Sequence, residues 1–257
     1  MADVLVARDG GVVTITLNRP DKKNALTMDM WVELARMFDD IATSQDDRVL
    51  VITGAGDAFC SGADLSGAAE GPTGNGLFLM RQTARVALRL HELPQPTISA
   101  VNGVAAGYGC NLALGCDLVL ASDAARFSEI FLKRGLAIDG GGSWLLPRLV
   151  GLHKAKELAF FADIISAADA RELGIVNRVV PASELADVAA DWARRLAAQP
   201  PNQISIVKRQ LNQSYSMTMA EALEWEGVAQ TAFGTSEDAR EAMLAFLEKR
   251  EPRYTGR

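Results

Sequence analysis

The sequence predicts an α/β fold in which helices cover a largely parallel β-sheet and a mostly helical C-terminal third follows. Short apolar runs rich in β-branched residues alternate with segments of helical periodicity through the first half of the chain. From about Leu145 onward, helical periodicity dominates. Of the 257 residues, 49% are hydrophobic and 23% are charged, which is enough apolar material for a folded core.

The order of the strands and helices is predicted from the periodicity of apolar residues and from the residues that interrupt it. Two strands flank the turn at 8–11, which is a hairpin pattern, and Thr27 has the position of a helix N-cap before apolar residues that recur to Ile41. A loop rich in glycine and small residues covers 54–76. Strands are predicted at 4–7, 12–17, 49–53, 97–101, 118–121 and 175–180. Further helices are predicted at 77–90, 107–114, 152–161, 167–173, 184–198, 203–211, 220–233 and 237–249.

Composition narrows the class of protein. The net charge of −6 and the absence of a basic stripe argue against nucleic-acid binding. Three cysteines, without the paired spacing of zinc sites, predict buried thiols that pack as small apolar residues, and no metal is expected. The N-terminus lacks the pattern of a signal peptide, and no apolar run reaches membrane-spanning length. We therefore expect a soluble, cytoplasmic protein that is not bound to a membrane.

Two glycine-containing segments have the pattern of an anion-binding site. Residues 59–65 follow one predicted strand, and residues 102–111 follow another and open a helix. Glycine lets the backbone approach a ligand closely, and free N–H groups at a helix start are donors with partial positive charge. Together the loops could form an oxyanion hole, although either alone is also a common structural turn. Neither has the third glycine of a dinucleotide-binding motif.

Four ordered motifs resemble the enoyl-CoA hydratase/isomerase, or crotonase, superfamily from about Val4 to the C-terminus. They are Asn18-Arg19-Pro20 with Asn24-Ala25-Leu26, the segment 59–65, Ala100-Val101-Asn102-Gly103, and the glycines at 140–141 with the segment 146–151. The resemblance implies a crotonase fold of repeated ββα turns forming a spiral core, at 1–195. It also implies a helical C-terminal region for trimerisation, at 196–257, and a homotrimer or a homohexamer of two trimers.

By this resemblance, the oxyanion hole would consist of the backbone N–H groups of Ala63 and Tyr108. The substrate would be an acyl-CoA thioester, with coenzyme A as part of the substrate and no other cofactor. The loop residues Ser61, Asp64 and Gly107 would also contact it. Lys22 or Lys23 lies where family members place basic groups near the CoA phosphates, although a solvated lysine pair is equally consistent with the sequence.

Hydratases of this family use two glutamates to activate water, and this chain has neither. Asn111 and Phe131 stand at those two positions. Asparagine exchanges no proton near neutral pH and phenylalanine has no polar group, so ordinary hydration is disfavoured. Asn111 is left with a positioning role at most. Phe131 and Trp144 are candidates for lining the acyl pocket, although apolar residues there could equally belong to the core.

Asp139, before a run of three glycines, is the remaining candidate acid/base. Its local pattern is that of a helix cap, but isomerase-type family members place their carboxylate in this loop. The segments 111–114, 139–148 and 249–256 resemble the members that isomerise ring-epoxide thioesters in phenylacetyl-CoA breakdown. An acyl-CoA isomerase is thus the leading hypothesis. Asp139 would shuttle a proton while the oxyanion hole holds an enolate.

Three alternatives stay open. The chain could be an enoyl-CoA hydratase of lipid or aromatic-acid degradation with a rearranged site. It could be an acyl-CoA hydrolase or dehalogenase in which Asp139 is the nucleophile. From another class, it could be a non-catalytic acyl-CoA-binding module.

Overall fold

Two β-sheets organise the computed structural model, which describes residues 2–66 and 76–257. The strands are β1 (Val4–Asp9), β2 (Val12–Leu17), β3 (Val49–Gly54), β4 (Ala58–Cys60), β5 (Thr97–Val101), β6 (Val104–Ala106), β7 (Leu118–Ser122), β8 (Arg126–Ser128), β9 (Ile165–Ser166) and β10 (Arg178–Val180). The helices are α1 (Met28–Thr43), α2 (Gly76–Glu92), α3 (Tyr108–Leu114), α4 (Gly142–Phe161), α5 (Ala167–Glu172), α6 (Leu185–Ala197), α7 (Pro201–Gln213), α8 (Met219–Phe233) and α9 (Glu237–Glu248). The loop predicted at 54–76 falls partly on 67–75, outside the described residues.

The larger sheet has the order β1-β2-β3-β5-β7-β10. β1 and β2 form the predicted antiparallel hairpin, with Val4 opposite Leu17, and every other neighbouring pair is parallel. All five residues of β5 are buried, including the polar Thr97 and Ser99, as expected for a strand covered on both faces of a parallel sheet. The prediction of a largely parallel sheet is confirmed.

A smaller sheet of very short strands, with the order β4-β6-β8-β9, was not predicted. Ala58 of β4 pairs with Val104 of β6, and Ala105 of β6 pairs with Phe127 of β8. Strands of two or three residues are too short to carry a period-2 pattern, so no local signal marks them. This sheet matters for function because the candidate loops leave its strands.

The two sheets are linked by a repeated ββα unit. A strand of the large sheet is followed by a short strand of the small sheet and then by a helix, in the series β3-β4-α2, β5-β6-α3 and β7-β8-α4. The predicted ββα repeat is therefore present. Because successive units pair strand by strand in both sheets, their loops emerge next to one another.

Helix α1 closes one side of the core beside these units. The Thr27 hydroxyl accepts a hydrogen bond from the Met30 N–H at 3.3 Å, which confirms Thr27 as the N-cap. Buried side chains on one face of the helix, among them Trp31, Leu34 and Phe38, pack into the main hydrophobic cluster. Trp31 also packs edge-on against the ring of Tyr108, with centroids 4.1 Å apart.

The C-terminal third is mostly helical, as predicted, with differences in detail. Helix α4 begins at Gly142, and the helix predicted at 152–161 is its second part, because Gly151 adopts a non-helical conformation (φ 76°, ψ 160°). β10 covers only the end of the strand predicted at 175–180, and β9 was missed. Helix α6 spans the position of the boundary predicted after residue 195, and that division stays a prediction. Among the described helices, none is both long and apolar enough to span a bilayer.

Close backbone packing between units predicts a strong effect at Gly109. A Cβ there would overlap the backbone carbonyl of Cys60 in β4, so Gly109→Ala must push α3 away from the small sheet. We expect the free energy of unfolding to fall by about 3 kcal/mol or more, measured by urea denaturation. Gly227→Ala is the matched control, because a Cβ at that α8 position meets nothing within 4 Å. The control should gain about 0.5–1 kcal/mol, and equal behaviour of the two variants would contradict the packing.

Candidate active site

The first candidate loop leaves β4 and is held by a single parallel bridge between Leu26 and Ala63. The Leu26 N–H donates to the Gly62 carbonyl at 2.8 Å, and the Asp64 N–H donates to the Leu26 carbonyl at 2.9 Å. In a parallel bridge of this pattern, the N–H of the central residue points to the opposite side. The Ala63 N–H is therefore directed away from Leu26.

An ion pair anchors the far end of this loop. The Arg19 guanidinium lies 2.8 Å from the Asp64 carboxylate and also donates to the Ala25 carbonyl at 2.6 Å. Hydrogen bonds from Ser66 and the charge of Arg19 lower the pKa of Asp64 to about 2. The Asp64 carboxylate is thus engaged in holding the loop, and its predicted contact with the substrate stays a prediction.

The near end of the loop is tied to the Lys22–Lys23 segment. The Ser61 N–H donates to the Lys23 carbonyl at 2.9 Å, and the Ser61 hydroxyl donates to the Lys22 carbonyl at 3.3 Å. The Lys23 ammonium is half exposed and pairs with Asp57 at 2.6 Å. Lys23 thus supports the loop through its backbone, while its side chain lies at the surface beside an acidic partner.

The second candidate loop joins β6 to α3 through Gly107. This residue has φ 53° and ψ −126°, a conformation open essentially only to glycine, and its N–H donates to the Ser128 carbonyl at 2.9 Å. Tyr108 is the first residue of α3, where backbone N–H groups lack an acceptor within the helix. Its hydroxyl donates to the Thr83 carbonyl of α2 at 2.9 Å. The buried side chain of Tyr108 therefore links the start of α3 to α2 and holds the turn at Gly107 in place.

The two loops meet at Gly62. Its φ is 102°, and a Cβ at this position would come 3.1 Å from the Ala106 carbonyl oxygen and 3.6 Å from the Tyr108 nitrogen. The backbone next to Ala63 therefore lies against the backbone at the start of α3. The sequence-based expectation that these two loops come together is correct.

Asp139 reaches the same place from the third unit. A Cβ on Gly140 would lie 2.8 Å from the ring of Tyr108, and the Asn111 amide donates to the Asp139 carbonyl at 2.9 Å. The N-cap of α4 is Gly141, without a side-chain hydrogen bond, so the interpretation of Asp139 as a helix cap is wrong. One carboxylate oxygen, Oδ1, is buried and has no hydrogen-bond partner among residues 2–66 and 76–257. The side chain is therefore available for a ligand.

Burial sets the electrostatics of this carboxyl. Desolvation raises the pKa of Asp139 to about 6, which puts its proton exchange close to neutral pH. Burial, and then the nearby Asp139, raise the pKa of the Tyr108 hydroxyl well above its ordinary value. Asp139 is consequently a group beside the two loops that can change its charge close to neutral pH.

Two further predicted residues flank this site. Asn111 in α3 is buried, and Phe131 is buried in the 3-10 turn Ile130–Arg134, where its ring would lie 3.8 Å from a Cβ on Gly107. Trp144 was predicted to line the acyl pocket, yet its described contacts lie elsewhere. The Arg148 guanidinium lies over its ring at 3.9 Å and the His91 ring packs edge-on at 5.0 Å, beside a separate cavity of about 490 Å³.

Glu129 is the site residue that sequence reasoning missed. It is only 4% exposed, and its carboxylate accepts a hydrogen bond from the Asn111 amide at 3.3 Å. Desolvation is the largest cause that raises its pKa to about 7. The available signal was a single carboxylate within the apolar run 127–132, which would place a charge in the core.

The comparison with known proteins agrees with this geometry. The sequence profile of the family described as Enoyl-CoA hydratase/isomerase matches residues 7–257. The chain belongs to this family.

Two curated family members and one solved structure illustrate the similarity. The 1,2-epoxyphenylacetyl-CoA isomerase of Escherichia coli is 41% identical over all of both chains. The short-chain-enoyl-CoA hydratase of Clostridium acetobutylicum is 36% identical over 97% of this chain and 96% of that protein. The crystal structure of an enoyl-CoA hydratase from Bacillus anthracis superposes with a TM-score of 0.93 at 32% identity, covering 100% of both chains. The fold is therefore the crotonase fold of this family.

The three cysteines are all free and buried, in agreement with their predicted packing role. Desolvation raises the pKa values of Cys60 and Cys116 to about 12, so neither is a thiolate near neutral pH. Neither thiol is therefore a candidate nucleophile near neutral pH.

The hydrogen bond from the Tyr108 hydroxyl to α2 gives a prediction that tests the side chain of Tyr108 and leaves its backbone N–H unchanged. Tyr108→Phe removes the hydrogen bond to the Thr83 carbonyl but keeps the Tyr108 N–H. We expect a loss of about 1 kcal/mol in the free energy of unfolding by urea denaturation. Tyr215→Phe, at a side chain 72% exposed, should change stability by less than about 0.5 kcal/mol. A Tyr108→Phe protein as stable as the control would refute this hydrogen bond.

Proposed function

We propose that this protein is an acyl-CoA isomerase that moves a proton within its substrate through an enolate. The backbone N–H groups of Ala63 and Tyr108 form the oxyanion hole, and Asp139 is the acid/base. The substrate is a CoA thioester with a double bond or a ring epoxide near the carbonyl, and no cofactor beyond the coenzyme A of the substrate takes part.

One observation carries this proposal. Asp139 is a carboxyl group beside the two loops, and both glutamates of the hydratases are replaced in this chain. Asp139 has an unpartnered buried oxygen and a pKa raised to about 6, and it lies beside the loops of Ala63 and Tyr108. Asn111 and Phe131 occupy the positions of the two hydratase glutamates. A single acid/base suffices for moving a proton, whereas adding water needs both a base and an acid. The 41% identity to an epoxyphenylacetyl-CoA isomerase supports the same assignment.

The reaction follows from these groups. Ionised Asp139 removes a proton from a carbon conjugated with the thioester, and the electron pair moves onto the carbonyl oxygen. The two N–H groups stabilise the developing oxyanion, which they bind more strongly than the neutral carbonyl. Asp139, now protonated, returns the proton to a different carbon, and the electron pair flows back from oxygen. Because the same carboxyl removes and returns the proton, it is regenerated in each cycle.

Binding of the CoA moiety is assigned to the surface next to the first loop. Lys23 provides a positive charge at the loop entrance, and it can exchange its exposed partner Asp57 for a phosphate. Ser61 and Gly107 shape the backbone around the thioester. Asp64 then contributes indirectly, because its ion pair with Arg19 holds the loop.

A homotrimer, or a homohexamer of two trimers, is the proposed assembly. Large apolar side chains of the C-terminal helices are exposed in the isolated chain, which supports a role in subunit contacts. They include Leu223, Val228, Met243, Phe246 and Leu247.

Enoyl-CoA hydration is the second candidate, because a short-chain-enoyl-CoA hydratase is 36% identical to this chain. A hydratase would need a second proton donor at the water-binding position. Glu129 is the nearby carboxyl, but it is almost fully buried behind Asn111. Isomerisation therefore remains the preferred function.

Replacing the proposed acid/base tests the function directly. Asp139→Asn keeps the shape of the side chain but cannot accept a proton, so we expect the isomerisation rate of a 3-enoyl-CoA to fall about 10²- to 10⁴-fold. Binding of a non-reactive acyl-CoA thioether, measured by calorimetry, should change less than about threefold. Asp187→Asn, at an exposed position of α6, is the control and should retain full activity.

Other outcomes of this assay identify the alternatives. Faster addition of water to a 2-enoyl-CoA than isomerisation of a 3-enoyl-CoA would establish a hydratase. Release of free CoA by the unmodified protein, lost in Asp139→Asn, would establish a hydrolase. Binding without turnover of any enoyl or epoxide thioester would establish a non-catalytic module.

The pKa of Asp139 gives a prediction for pH dependence. The base must be ionised, so kcat/KM should rise about tenfold per pH unit below about pH 6 and stop rising once Asp139 is fully ionised. The midpoint lies well above the ordinary value of 3.8 because burial favours the neutral acid. Unfolding curves across the same pH range control for loss of structure. A rate that stays constant down to about pH 4 would contradict Asp139 as the base.

A further inference from the structure

Glu129 is a buried carboxyl that the proposed reaction does not use. It lies between β8 and the 3-10 turn Ile130–Arg134 and is 4% exposed. Carboxylates are almost never buried to this degree unless they are paired. The groups that act on it are the Asn111 amide, the Cys110 thiol and the Asp139 carboxyl, none of which is positively charged. Its negative charge is therefore poorly compensated.

Asn111 links Glu129 to the catalytic loop. Its amide nitrogen donates one hydrogen bond to Glu129 Oε2 at 3.3 Å and another to the Asp139 carbonyl oxygen at 2.9 Å. The loop also fits directly onto this amide, because a Cβ on Gly142 would lie only 2.6 Å from Asn111 Cγ. The orientation of the Asn111 amide thus fixes the backbone at Asp139.

Two oxygens of this pair are left without partners. Asn111 Oδ1 and Glu129 Oε1 are both buried, and neither forms a hydrogen bond with the part of the chain that the structure describes. An ionised Glu129 would leave both oxygens as buried acceptors without a donor, and buried polar atoms in folded proteins are normally paired. A proton on Oε1 would turn one of them into a donor for which Asn111 Oδ1 is the acceptor, while Oε2 keeps its hydrogen bond from the amide nitrogen.

We propose that Glu129 is a positioning residue that acts as a neutral acid, forms a two-hydrogen-bond pair with Asn111, and through it holds the Asp139 loop against α3. The proposal rests on the proposed function only in that Asp139 is the group whose position matters for catalysis. The acid–amide pair itself is a statement about Glu129 and Asn111.

The electrostatics support a proton on Glu129 near neutral pH. Burial raises its pKa to about 7, hydrogen bonds from Asn111 and Cys110 lower it, and the charge of Asp139 raises it again. The other titratable groups in the cluster, Cys110 and Tyr108, have pKa values raised well above their ordinary range and stay neutral. Above about pH 7, ionisation of Glu129 breaks the pair and adds a second negative charge beside Asp139.

Glu129→Gln is the variant that distinguishes positioning from charge. Glutamine keeps both hydrogen bonds, because its amide donates to Asn111 Oδ1 and its oxygen accepts from Asn111 Nδ2, but it cannot ionise. We expect wild-type kcat to fall above about pH 7, and Glu129→Gln to keep kcat within about threefold near pH 6 while losing that alkaline fall. Glu129→Leu, which has no hydrogen bond, should lower kcat about tenfold with KM within about twofold.

The matched control is Glu172→Gln, at an exposed position of α5. It should reproduce both the wild-type rate and the wild-type pH profile. An alkaline fall that persists unchanged in Glu129→Gln would overturn the proposal, as would a Glu129→Leu protein with wild-type kcat.

Infrared difference spectroscopy tests the pair without any enzymatic assay. Between about pH 6 and about pH 8, the wild type should lose the carbonyl stretches of two protonated carboxylic acids, first that of Asp139 and then that of Glu129, and Glu129→Gln should lack only the later change, which has its midpoint near pH 7. Asp139→Asn should keep the Glu129 band and move its midpoint to lower pH, since a neighbouring charge is gone. If Glu129→Gln does not fold, the shift of the band's midpoint between the wild type and Asp139→Asn tests the pair.

The two hypotheses fail in different ways. If the protein does not isomerise thioesters but shows this titration, the proposed function is refuted and the acid–amide pair is supported. If the protein isomerises thioesters through Asp139 but Glu129 is ionised throughout this pH range, the proposed function is supported and the acid–amide pair is refuted.

Discussion

Backbone-to-backbone contact between successive ββα units is the constraint on which the candidate site depends. Cβ atoms on Gly103 and Gly109 would overlap the carbonyls of Asp57 and Cys60, and Gly62 lies against Ala106 in the same way. These contacts bring the short strands close enough to pair, so the loops that follow them end at one point. A methyl group at any of these contacts would separate two units. The geometry of the site is thus set by close-packed main chain rather than by the identity of its side chains.

Strand length explains how much of the fold could be predicted. The strands β3, β5 and β7 have five or six residues, most of them apolar, and their pattern was sufficient. The strands β4, β6 and β8 have three residues each, and only pairing between distant segments makes them strands. Gly151 likewise ends one helical stretch and begins another through its left-handed conformation, which a single glycine in an apolar helix pattern does not reveal.

The site was predictable where glycine and motif order carry the information, and not where tertiary packing does. The loops of Ala63 and Tyr108 were expected together and do meet. Asp139 had the local pattern of a helix cap, yet its side chain caps nothing, and burial gives it the pKa of an acid/base. In the sequence, Glu129 is similar to any charged residue in a loop, and only the tertiary fold shows that it is buried against Asn111. Trp144 packs on Arg148, because the first turn of α4 presents that side chain to a different cavity.

Each repeated unit contributes one part of the proposed mechanism, and the parts differ in kind. The first two supply main-chain donors beside Ala63 and Tyr108, whereas the third supplies the side chain of Asp139. Point mutations that spare the glycines cannot delete a main-chain N–H, but a single codon change can replace a carboxyl. Descendants of this scaffold should therefore retain recognition of a thioester while their reaction types diverge. In protein engineering, the segment between β8 and α4 is accordingly the place to introduce a new catalytic group.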